Sequence, residues 1–147
     1  TVTVKDSNGQ VISTQNYNII YSSNKKVGNG TVKIVFKGNY SGTITKIFKI
    51  VPKKVSLTKA TNLKGKKVKL GWKKVSGISG YEIQYGRNKS FKKAKTTTAK
   101  SSLKTKTITK LTNKKKYYFR MRAYKKVSGK KVYGAYSSKK TIRIKNW

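Results

Sequence analysis

Tyr117-Tyr118-Phe119-Arg120-Met121-Arg122-Ala123-Tyr124 alternates two kinds of side chain with a period of two. Tyr117, Phe119, Met121 and Ala123 fall on one face of an extended chain, and Tyr118, Arg120, Arg122 and Tyr124 on the other. The first set suits a core, and the stretch reads as a central strand. Leu111 stands six residues before Tyr117, and the polar turn Thr112-Asn113-Lys114-Lys115-Lys116 lies between them. A chain corner therefore delivers a tyrosine to the start of a buried strand.

Such a strand needs partners. Val68, Leu70 and Trp72 alternate with Lys67, Lys69, Gly71 and Lys73, and Tyr81, Ile83 and Tyr85 follow after a glycine-bearing turn, Gly77 to Gly80. The corner spacing, the tryptophan closing one strand and the stretch GYEIQY together resemble the fibronectin type III family, from about Val55 to Ile144. That resemblance implies an antiparallel β-sandwich with Trp72, Tyr81, Ile83, Leu111, Tyr117, Phe119 and Met121 in its core. It also implies that the Tyr117 hydroxyl bonds a backbone group upstream, satisfying an otherwise buried polar atom. Function does not follow from this fold, which hosts binding and purely mechanical roles alike.

The remaining strands of this half are expected at Val55–Thr58, Gly65–Trp72, Gly80–Tyr85, Lys93–Lys100 and Lys104–Thr109. The last strand is expected in two parts, Val132–Tyr136 and Thr141–Ile144, joined by a bulge at Ser137-Ser138. Lys125 to Lys131 reads as a hairpin loop carrying four lysines around Ser128-Gly129. It contains no Arg-Gly-Asp triplet, so the integrin motif of some members of the resembled family has no residues here.

Upstream, Thr1–Val4 alternates, Asp6-Ser7-Asn8-Gly9 is a turn, and extended stretches resume toward Tyr17–Tyr21, Thr31–Phe36 and Thr43–Val51. The inward face of Thr43–Val51 is ambiguous, with Phe48 and Ile50 expected inside. YSSNKKVGNGTVKI, KGNYSGTI and FKIVP resemble an immunoglobulin-like repeat of surface and secreted proteins from Gram-positive, clostridial-type bacteria. By that resemblance residues 1–52 lack the family's first strand and leave a sheet edge unpaired. Pro52, the only proline, cannot extend a ladder and marks the boundary. The expected organisation is all-β: an immunoglobulin-like domain over 1–52 and a fibronectin type III domain over 53–147, with a linker too short to let the two move far apart. No stretch has helical periodicity, and no run approaches the roughly 18 apolar residues of a membrane span.

Composition excludes most chemistry. The chain has no histidine and no cysteine, and its only acids are Asp6 and Glu82, in different halves. Paired-carboxylate hydrolysis, histidine-based triads, thiolate chemistry and zinc ligation therefore lack their groups, so no enzyme activity, cofactor or metal is expected. A serine–lysine pair is conceivable, but no pocket marks one. Glu82 reads as an outward carboxylate taking a cross-strand lysine or arginine. The alternative is assistance to a buried Lys–Asn crosslink, as in pilin-like sandwiches.

Charge is what remains. The 147 residues hold 38 Lys and Arg, a net charge of +36. Nine basic residues and one acid up to Lys54 give +8, whereas 29 and one acid from Val55 give +28. Arg120, Arg122, Lys125, Lys126, Lys130 and Lys131 are candidate polyanion-binding residues. Tyr118, Tyr124, Tyr133 and Tyr136 are candidates for an aromatic platform. The first reading is a non-catalytic extracellular pair of modules in a larger secreted or cell-wall-associated polypeptide, acting as a spacer and held by charge to anionic cell-wall polymers or glycans. The alternative is a carbohydrate- or host-ligand-binding accessory domain of a secreted enzyme. Specific nucleic-acid binding is disfavoured, because no helix-turn-helix, zinc-finger spacing or RNP-like motif is present to place bases.

Overall fold

The computed structural model describes residues 1–145. The chain divides into two compact units, Thr1–Ile50 and Val51–Trp147. The expected end of the second domain includes Asn146 and Trp147, which lie outside the described residues.

In the first unit a three-stranded antiparallel sheet runs in the order β1 (Tyr17–Ser22), β2 (Gly28–Phe36), β3 (Thr43–Ile50). Thr1–Val4 is not a strand. It belongs to a short hairpin with one isolated bridge, Lys5 to Val11. Asp6 holds that turn, its Oδ1 accepting from the backbone N–H of Asn8 and of Gln10, each at 2.9 Å. A single 3-10 turn at Thr14–Asn16 leads into β1. Register places Tyr17, Ile19, Tyr21, Val32, Ile34, Phe36, Ile44, Phe48 and Ile50 on one sheet face. The hairpin covers only part of that face: Val4, Ile12, Tyr17 and Ile34 are buried, while Ile19, Tyr21 and Ile44 are exposed. Phe48 and Ile50 are half-buried, on the expected side.

The second unit is built of two sheets. One is β4 (Leu57–Leu63), β5 (Lys67–Trp72) and β8 (Thr105–Ile108). The other is β7 (Lys95–Lys100), β6 (Gly80–Gly86) and β9 (Lys116–Val127), with β10 (Lys130–Tyr133) and β11 (Lys140–Arg143) both pairing β9. The first strand starts later than expected and extends to Leu63. All seven residues named for the core are buried, with Tyr81, Ile83, Phe119 and Met121 at 0% exposure. Alternation along β9 produces this, since its odd-numbered side chains meet Val68, Leu70 and Trp72 from the facing sheet.

Two tyrosine hydroxyls tie the core to its edges. The Tyr117 hydroxyl accepts from the Thr112 backbone N–H at 3.3 Å and donates to the Thr112 side-chain oxygen at 3.2 Å. Tyr81 packs edge-on against Trp72, ring centroids 5.3 Å apart, and its hydroxyl accepts from the Val75 N–H at 2.9 Å.

Candidate functional site

The solvent face of β6, β9 and β10 carries Arg120, Arg122, Lys126 and Lys131 of the charged residues singled out in the sequence, and Lys125 and Lys130 fall on the opposite parity. Pairing sets Glu82 opposite Arg122, Gln84 opposite Arg120, and Gly80 opposite Tyr124, with Tyr133 on the far side of Tyr124. All therefore point the same way.

Tyr136 joins them through an irregularity. Tyr133 pairs Tyr124 and Lys140 pairs Phe119, so the returning chain spends seven steps where β9 spends five. Strict alternation from Tyr133 would turn Tyr136 toward the core. One extra residue falls between Gly134 and Ser137, which flips the parity and brings the Tyr136 ring over the arginines, and a second between Ser137 and Lys140 restores it. The irregular stretch begins at Gly134, ahead of the expected Ser137-Ser138, and β10 ends at Tyr133 instead of Tyr136. It stays attached because Gly134 and Ser137 donate their N–H groups to Ala123 and Met121 carbonyls. The Ser137 hydroxyl in turn accepts from the Met121 N–H at 3.1 Å.

The result is a ladder of alternating rings and cations. The Arg120 guanidinium carbon lies 4.2 Å from the Phe91 ring centroid and 3.9 Å from that of Tyr136. Arg122 lies 4.5 Å from Tyr136 and 3.7 Å from Tyr133. Tyr133 leans on Tyr124 at 6.0 Å, and Lys131 Nζ sits 4.7 Å over the Tyr124 ring. Such stacking suits guanidinium groups, whose faces are weakly hydrated. Gly80 makes room at the end, because a Cβ there would stand 2.8 Å from the Tyr124 hydroxyl and 2.9 Å from the Ala99 carbonyl oxygen.

Hydrogen bonds fix the edges of both guanidinium groups. Arg122 Nε and Nη2 each approach Glu82 Oε1 at 2.8 Å, and the Tyr136 hydroxyl donates to the same oxygen at 3.2 Å. Glu82 is 9% exposed, so the expected cross-strand pair forms but lies under the ladder and not in open solvent. Burial pushes the Tyr136 phenol up from its usual range. Arg122 pulls it down, the charge and hydrogen bond of Glu82 push it up, and Arg120 pulls it down. Arg120 donates from Nε to Gln84 Oε1 at 2.9 Å, a neutral partner that leaves its charge uncompensated.

The structure brings Arg120, Arg122, Tyr124, Tyr133 and Tyr136 together and sets Tyr118 apart. Tyr118 lies six residues along β9 from Tyr124, a span of about 20 Å, under Lys116 Nζ at 5.6 Å. Lys125, Lys126, Lys130 and Lys131 are not in a loop. They lie on the paired ends of β9 and β10, and only Ser128 and Gly129 turn the chain, at φ 47° and 77°. Positive φ at both positions gives a turn whose twist matches the strands, so no longer loop is needed. Phe91 and Gln84 were missed. A lone aromatic within Arg87-Asn88-Lys89-Ser90-Phe91-Lys92-Lys93 was the available signal for Phe91.

Among the described residues no group of three or more His, Cys, Asp or Glu could hold a metal ion, and no helix is long and apolar enough to cross a membrane.

A family model for the fibronectin type III domain matches residues 52–137. Among solved structures, the chain is similar to the chicken CNTN1 FN1-FN3 domains, with 16% identity and a TM-score of 0.58 over 84% of this chain. It spans 43% of that chain's length. It is also similar to a computationally redesigned β-sandwich protein, with 20% identity and a TM-score of 0.53, covering 63% of this chain and 95% of that one. At these identities the likeness is one of fold. No curated protein matches the sequence.

Proposed function

Because this chain belongs to the fibronectin type III domain family, whose members are generally non-catalytic, usually extracellular modules linked to other domains, we propose that it serves as a spacer and attachment element in a larger secreted or cell-wall-associated bacterial protein. In this reading residues 1–52 are a partial immunoglobulin-like repeat, residues 53–147 are the charged module, and anionic cell-wall or host polymers are the partners. The half-covered apolar face of the first sheet supports the partial repeat.

One observation carries the charge argument. From Val55 onward 29 basic residues share a single acid, and that acid is already engaged by Arg122 beneath Tyr136. The field of this stretch therefore has no side-chain counter-charge left, and a polyanion relieves the self-repulsion. The sugar-platform alternative has less support, since the rings of Tyr133 and Tyr136 already face guanidinium groups.

The test is thermal unfolding of the full chain with and without heparin or DNA. A ligand that binds only the folded state raises the melting temperature, here at low salt and not at high salt. No shift at low salt overturns the proposal.

A further inference from the structure

Away from the ladder, a cleft of about 370 Å³ opens beside the last residues of β6 and the chain that follows β8. Arg87, Lys93, Lys95 and Lys110 converge on it, and Tyr85 and Tyr117 line it too. Neither acid of the chain is among its lining residues, so four cations meet at one concavity without a carboxylate. This is a shape as well as a charge, which the evenly spread lysines of the strands do not offer.

The lining is also held in place. Tyr85 is stacked on the buried Phe119, centroids 6.1 Å apart at 12°, and the Tyr117 hydroxyl is fixed by Thr112. The Tyr85 hydroxyl has no hydrogen-bond partner among the described residues, leaving a phenol available to a ligand. Lys93 and Lys110 adopt left-handed backbone conformations, φ 55° and 56°. Lys66 and Lys114 do so elsewhere, at 59° and 58°, so strain alone marks nothing. What singles out Lys93 and Lys110 is that both line the cleft.

Aromatic walls suit the apolar face of a sugar ring, cations suit an acid attached to it, and the volume lies within the range of small-molecule sites. We propose that this cleft binds one anionic sugar unit, a hexose-sized ring bearing a carboxylate, sulfate or phosphate, within an acidic polysaccharide or a sugar-phosphate polymer. Such a site would give the charged module a preference that a diffuse field lacks. It does not rest on the diffuse field, since a monosaccharide has too few charges to exploit one.

The experiment is titration of the full chain, followed by amide NMR, with glucuronic acid and glucose 6-phosphate, against glucose and inorganic phosphate. Saturating shifts confined to amides such as Gly86, Thr109 and Leu111 are expected for the acidic sugars, with glucose and phosphate each weaker by about tenfold or more. Either acid saturating the cleft supports the proposal, and the tighter of the two names the polymer class. The double substitution Lys93→Gln, Lys110→Gln should weaken binding about tenfold, and Lys130→Gln, Lys131→Gln, which removes the same charge elsewhere, by less than about twofold. Equal weakening by both pairs, or shifts spread over lysines throughout the unit, overturns the cleft while leaving charge-driven attachment to long polymers standing. Glucose binding as tightly as the acids overturns the requirement for an anion.

Discussion

Arg122 spans from β9 to β6 to place Nε and Nη2 each 2.8 Å from the same Glu82 oxygen, while its guanidinium carbon rests 3.7 Å from the Tyr133 ring centroid. The one acid of the charged half is therefore spent inside the molecule, on positioning an arginine, and is not offered to solvent.

Glu82→Gln should destabilise the fold by about 1 to 3 kcal/mol, since it leaves Arg122 stacked and partly buried without its counter-charge. Chemical denaturation measures this. An unchanged midpoint would mean that the pair contributes nothing, as exposed pairs often do.

Tyr136 predicts a pH dependence. Its folded pKa lies above the ordinary value of 10.0, chiefly through burial. A raised pKa contributes stability that is fully present below the unfolded value and lost as pH rises through the folded one. The stability difference between the natural chain and Tyr136→Phe should therefore shrink as pH rises above about 10, where a phenolate would face Glu82. Lysine titration affects both proteins and cancels. A difference that stays constant from about pH 8 to 11 would contradict the placement of this hydroxyl.

Gly80→Ala should cost about 1 to 3 kcal/mol by overpacking. The new Cβ meets a side chain and a backbone oxygen, Tyr124 and Ala99. Adding Tyr124→Ala should recover only part of the loss, because the Ala99 carbonyl cannot retreat. Full recovery in a double-mutant cycle would show that Tyr124 alone sets the constraint.

Trp72→Ala should cost about 3 to 5 kcal/mol, a large share of the stability of a domain this size. Trp72 is 4% exposed against Tyr81, and its indole Nε1 has no hydrogen-bond partner among the described residues. The loss should accordingly be one of packing. Calorimetry showing an unshifted transition would contradict the core assignment.

The core of the second unit was legible because a sandwich buries one parity of each strand, and Phe119, Met121, Tyr81 and Ile83 declare theirs plainly. Tyr136 was singled out with Tyr133 as a platform candidate, although parity alone would turn it inward. One extra residue between Gly134 and Ser137 reverses its direction, and nothing in the alternation announces where an irregularity starts. Lys125 to Lys131 read as a loop because lysine is a poor strand former, yet a turn needs only Ser128 and Gly129 at positive φ. In the first unit Ile19, Ile20, Ile44 and Ile47 supply apolar residues to both faces of the sheet. Composition there could not say which face would be covered, and the covering hairpin protects only the Tyr17 and Ile34 end.

Charge-driven attachment is tested most directly by the affinity of the full chain for heparin and for DNA as salt is varied. The account predicts a straight log–log decline with a slope of about −0.7 to −0.9 per anionic group contacted, as counterions are released. Replacing Lys125, Lys126, Lys130 and Lys131 with serine should lower affinity for both polymers by a similar factor, because these lysines lie along paired strands and supply charge. Binding that survives about 1 M salt, where the screening length is about 3 Å, or a loss confined to one polymer, would contradict it.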